Sequence, residues 1–132
     1  MKDNWDIIST YTRAQAIEGG VLVDMTQGEF GKLLREAGFP LHTAMTAGAF
    51  AAAIGHEPLP AGQDVKGRWW DVLMVLWATA RAALRRNEHT DRVHFTVGVW
   101  DGTRRNDVRL WALCGPGDTG EPVLTIMLQG EG

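Results

Sequence analysis

The chain has 132 residues, 45% of them apolar and 22% charged, with a formal net charge of −3 and one cysteine. That length suits one domain spanning residues 1–132, and the apolar share with six tryptophans excludes a disordered chain. The acidic balance argues against a protein devoted to gripping phosphate backbones, and lone Cys114 cannot form an internal disulfide.

Thr12 caps a short helix over TRAQAIE that ends at Gly19 and Gly20, and VLVD follows as a short strand. Thr26 with Glu29 fits a capping box, opening a helix that puts Phe30, Leu33 and Leu34 on one face and stops at Gly38 and Pro40. Thr43 is expected to cap a third helix over AMTAGAFAAAIG, ending at Gly55. GHEPLPAGQ is a connector.

Asp64 to Arg86 holds half of the tryptophans in one long helix. Val65, Trp69, Val72, Leu76, Ala80 and Ala83 form its stripe, and Trp70, Leu73, Met74 and Trp77 widen it. An apolar arc this broad needs cover on two sides, from a sheet and the smaller helices or from a sheet and a second copy. The apolar run DVLMVLWATARAAL is too short and too charged to span a bilayer. No secretory leader is evident in MKDNWDIISTY, so a cytoplasmic location away from the membrane is expected, as monomer or homodimer.

Past RRNEHTD the period changes to two. Val93, Phe95, Val97 and Val99 face inward, and Arg92, His94, Thr96 and Trp100 face outward. DGTRRND turns the chain into VRLWALC, with Val108, Leu110, Ala112 and Cys114 inward and Arg109 and Trp111 outward. GPGDTGEP turns it again into PVLTIMLQ. The expected architecture is α+β: short helices and one long central helix packed on a C-terminal three-stranded antiparallel meander, with a possible fourth short strand.

Chemistry-bearing residues are sparse. His42, His56, His89 and His94 share no metal-ligand spacing with one another or with Cys114, and an inward Cys114 has no neighbouring base to activate it, so no metal, cofactor or catalytic residue is assigned. The glycines around Asp118 and Glu121 fit a tight turn better than an anion cradle, since no helix starts there. Arg81, Arg85 and Arg86 suit the C-terminal end of a helix dipole.

The outward face of the meander is the candidate contact surface, with Arg92, His94, Trp100, Arg109 and Trp111 on the strands and Arg104 and Arg105 in the loop. Three readings stay open. The N-terminal helices cover the face and make its tryptophans core; it anchors a protein partner, where Trp and Arg are enriched; or it stacks on unpaired bases.

The segments IISTYTRAQAIEGGVLVD, DVKGRWWDVL and LCGPGDTGEPVLTIML resemble a family of small uncharacterised proteins encoded by plasmids and phages. The resemblance implies an accessory protein of a mobile element that binds and blocks a host protein complex, including defence complexes such as CRISPR effectors. The expected function is therefore non-enzymatic inhibition, with a nucleic-acid-binding module as the alternative and an enzyme with a dispersed site as the third reading.

Overall fold

The computed structural model describes residues 12–88 and 91–131. Among them are four helices and five strands in the order α1 (Arg13–Glu18), β1 (Leu22–Asp24), α2 (Gly28–Glu36), β2 (His42–Thr46), α3 (Ala47–Ala53), α4 (Val65–Arg85), β3 (Arg92–Trp100), β4 (Arg105–Pro116) and β5 (Pro122–Leu128). The strands form one sheet ordered β1-β2-β5-β4-β3. The α+β class stands. The three-stranded antiparallel meander is corrected to a five-stranded mixed sheet, because β2 runs parallel to β5 and brings β1 with it.

The added strand comes from a segment expected to be helical. His42–Thr46 is buried along almost all of its length, so it lacks the alternation that announces a half-exposed strand, and it runs directly into an alanine-rich helix. Thr46, rather than Thr43, is the N-cap of α3, accepting from the Ala49 N–H. Thr26 does not cap α2 either. Its hydroxyl donates to the Thr43 carbonyl and accepts from the Thr43 N–H, while Gln27 occupies the cap position without a side-chain bond. Thr12 does cap α1, in a reciprocal box with Gln15.

Asp64 caps α4 through the Gly67 N–H, and the helix buries Trp69, Val72, Leu73, Leu76 and Ala83. The first four meet Phe50 of α3 and Ile54 at its end, Leu34 of α2, and the inward side chains Met45, Phe95, Val97, Leu110, Ala112 and Ile126 of the sheet. The smaller helices and the sheet thus cover the central stripe of α4 together, while Trp77 at the side of the arc stays 43% exposed. The Trp69 indole N–H donates to the Phe30 carbonyl at 3.0 Å, which satisfies the one polar atom of a fully buried side chain.

Arg68 ties three segments together. Its guanidinium donates to the carbonyl of Ile54 at 3.0 Å and to that of Trp100 at 2.7 Å, fastening the start of α4 to the ends of α3 and β3. The helix therefore runs antiparallel to β3.

Cys114 corrects a second expectation. Strand parity does put it on the side of Leu110 and Ala112, but it lies near the end of β4 and is exposed.

Candidate interaction surface

The register of β3 on β4 pairs Arg92 with Leu113, His94 with Trp111, Thr96 with Arg109 and Trp100 with Arg105. Every strand residue of the expected contact surface therefore shares one face, opposite α4. The structure then divides that face in two.

At its centre Trp111 is covered by neighbours that are themselves exposed, Arg92 and His94. Trp111 is only 3% exposed: it lies beside buried Met127, stacks on His94 at 6.2 Å, carries the Arg92 guanidinium 4.1 Å above its ring, and donates its indole N–H to the Leu128 carbonyl. The outward Trp111 of the sequence reading is corrected to a covered side chain. It supplies no stacking platform for a base. Arg109 is exposed further along the same row.

At the hairpin end the face is open. Trp100 is 41% exposed. Asp101 builds the turn after it, accepting from the N–H groups of Thr103 and Arg104 and from the Asn106 side chain, and these bonds pull its pKa down to about 2. Arg104 is exposed and donates to the Asn106 side chain. Arg105 lays its guanidinium across Gly98, where a Cβ would overlap it, so this position must lack a side chain for the arginine to sit there. Arg105 forms no ion pair and no side-chain hydrogen bond among the described residues.

Trp100, Gly98 and Arg105 line a cleft of about 430 Å³ with Val97 and with Gln63, Asp71, Met74 and Val75 from the α4 side. Arg81, Arg85 and Arg86 lie toward the other end of α4, so they do not extend the hairpin arginines into one basic surface. Arg81 covers exposed Trp77 at 4.7 Å.

A second polar cluster holds α1 to the sheet and went unnoticed in the sequence. Arg13 donates to the Thr125 hydroxyl at 2.7 Å, the Leu124 carbonyl at 2.8 Å and His42 Nδ1 at 3.2 Å. An Nδ1 that accepts leaves the imidazole hydrogen on Nε2, which faces Asp24 at 3.4 Å. Burial pulls the Arg13 pKa below its ordinary value, opposed by the charges of Asp24, Asp118 and Glu121. Asp118, from the β4–β5 turn, accepts from the N–H groups of Arg13 and Ala14, which hold its carboxyl below the usual carboxylate range. Arg13 and Asp118 are 105 residues apart, so no local spacing marks them as partners.

Among the described residues no group of three or more His, Cys, Asp and Glu side chains is placed to hold a metal ion, and no helix is long and apolar enough to cross a membrane. His89 lies outside the described residues. The model of a family of unknown function (DUF6573) matches residues 1–132. No curated protein and no solved structure matches the chain.

Proposed function

The chain belongs to DUF6573, a family of unknown function, and from that premise we propose that it is a non-enzymatic protein-binding module, docking on a host protein complex through Trp100, Arg104 and Arg105. The observation that carries this reading is the half-exposed Trp100 beside the 430 Å³ cleft, with an Arg105 guanidinium held over Gly98 and given no acidic partner among the described residues. Tryptophan and arginine are among the residue types enriched in the few positions that carry most of the binding energy at protein interfaces. The acidic net charge and the covered Trp111 favour a protein over a nucleic acid as partner. The resemblance to proteins of plasmids and phages supports a setting in which occlusion of a host complex, such as a CRISPR effector, requires contact and no reaction.

The test is affinity capture from nuclease-treated host lysate with mass spectrometry, comparing the natural chain, the Arg104→Glu/Arg105→Glu variant and Gly98→Ala. A specific protein complex is expected with the natural chain and lost with the double variant. Gly98→Ala, which displaces Arg105 without removing it, is expected to weaken capture while the thermal midpoint by circular dichroism changes little. A complex held equally by the folded double variant would remove the hairpin from the site. Recovery of nucleic acid alone when nuclease is omitted, with affinity falling steeply in salt, would replace the protein partner with single-stranded nucleic acid.

A further inference from the structure

The sheet has two edges of unequal length, the three-residue β1 and the nine-residue β3. At one end of β3 the Asp91 carbonyl accepts from the Cys114 N–H, and past the other end the Asp101 N–H donates to the Arg104 carbonyl. In an antiparallel pair this alternation sends the backbone groups of the odd-numbered residues toward β4 and those of the even-numbered residues outward. The outward Trp100 carbonyl is taken by Arg68. The outward groups of His94, Thr96 and Gly98 have no backbone partner among the described residues.

Edge strands usually carry a proline, a lysine, an inward charge or a bulge that blocks further pairing. Between Arg92 at its start and Trp100, whose carbonyl Arg68 takes, strand β3 has none of these, and its register on β4 is one-to-one. Beside it, Arg68 and Val75 mark the side of α4 that borders this edge, and helical spacing continues that side through Ala78, Thr79 and Ala82. These side chains are small and uncharged, and the Thr79 hydroxyl is spent on the Val75 carbonyl.

We propose that the β3 edge is a self-association surface, on which two copies pair their β3 strands antiparallel about a two-fold axis through Thr96, joining two five-stranded sheets into one. The edge is complementary to itself in that register. Thr96 meets Thr96 of the second copy, His94 comes opposite Gly98, over which the Arg105 guanidinium lies, and Arg92, which rests on Trp111, comes opposite the half-exposed Trp100. On the helix side Phe95 comes opposite Val97 and Val93 opposite Val99, so apolar positions face apolar positions across the axis. Because α4 runs antiparallel to β3, the same axis sets the two α4 helices antiparallel with their small-residue sides facing. Asp71 in the first half of one helix then approaches Arg85 at the end of the other. An extended peptide of another protein would use the backbone edge but gain neither the Thr96 pair nor the approach of Asp71 to Arg85. The hairpin turns project from opposite ends of the joined strands, so Arg104 stays open, while Trp100 and Arg105 are shared with the binding role above; Thr96, which that role does not use, tells the two apart.

Sedimentation equilibrium of the full chain over a wide concentration range tests it. The mass is expected to rise from 14.5 kDa toward twice that value. Thr96→Glu and Thr96→Lys, each placing like charges on the axis, are expected to weaken association at least about tenfold, and an equal mixture of the two to restore it as a heterodimer. Thr96→Pro removes an outward N–H and leaves the β4 ladder intact, so it should abolish association in a folded chain. Ala78→Arg tests the same interface from the helix if the Thr96 variants fail to fold. A natural chain that stays monomeric at every concentration overturns the proposal. So does a dimer indifferent to these substitutions, which would place the contact elsewhere.

Discussion

On one side of the sheet, Trp69, Leu73, Ile54, Met45, Leu110 and Ile126 are fully buried against one another in a continuous apolar layer. On the other, the small cluster of Ala16, Leu22 and Ala44 is supplemented by directed bonds: the three made by the Arg13 side chain, the two accepted by Asp118, and the indole bond of Trp111. Apolar packing has little directional demand, so the first side absorbs small changes of shape and yields chiefly to lost volume. The second depends on a few atoms at fixed distances. Single substitutions and protons reach it more easily.

The comparison can be broken most severely from the apolar side. Trp69→Ala removes the largest fully buried side chain and is expected to cost about 3–5 kcal/mol in chemical denaturation. Arg13→Ala strips a bonded partner from the Thr125 hydroxyl and the Leu124 carbonyl. About 2 kcal/mol is expected, with little return from Arg13→Lys, whose ammonium cannot reproduce the planar fork. Trp111→Phe keeps most of the ring but loses the bond to the Leu128 carbonyl, for about 1 kcal/mol by the same denaturation. If Arg13→Ala costs less than Trp111→Phe, the guanidinium is not what holds α1 to the sheet.

Acid sharpens the contrast at the smallest scale. The Asp118 pKa lies lower in the folded chain than its ordinary value of 3.8, so its contribution is complete above that value and is lost as pH falls through the lower, folded one. Asp101 behaves alike, over a window from 3.8 down to about 2. An acid titration of stability should therefore show a decline below the ordinary aspartate range that is reduced in Asp118→Asn. An identical decline in that variant would assign the acid sensitivity to other carboxylates.

The elements legible in the sequence were those with a clear period. The helix expected between Asp64 and Arg86 spans Val65–Arg85, and the alternation of Val93, Phe95, Val97 and Val99 marks β3 correctly. Strand β2 was hidden because burial along its length removes alternation, and because a threonine with cap chemistry stands both inside it and at its end. Parity placed Arg92, His94, Trp100, Arg109 and Trp111 on one face, which the β3–β4 register bears out. Parity carries no information about what lies above a face, so open Trp100 and covered Trp111 looked alike. Arg68 was concealed for a related reason: next to Trp69 and Trp70 it resembles a solvated helix cation, and its bonds to Ile54 and Trp100 reach across 14 and 32 residues.

The position of β5 has a consequence for how the chain assembles. The last strand in sequence is the middle strand in space, with β2 on one side and β4 on the other. Until Pro122–Leu128 has been synthesised, β1 with β2 and β3 with β4 can exist only as two separate antiparallel ribbons, and isolated two-stranded ribbons are marginal in water. Strand β2 must also wait for a parallel partner about eighty residues later, a closure of the kind that slows folding. Synthesis from the N-terminus therefore leaves both ribbons without the strand that joins them until late, and β5 acts as a keystone whose arrival commits the whole sheet at once.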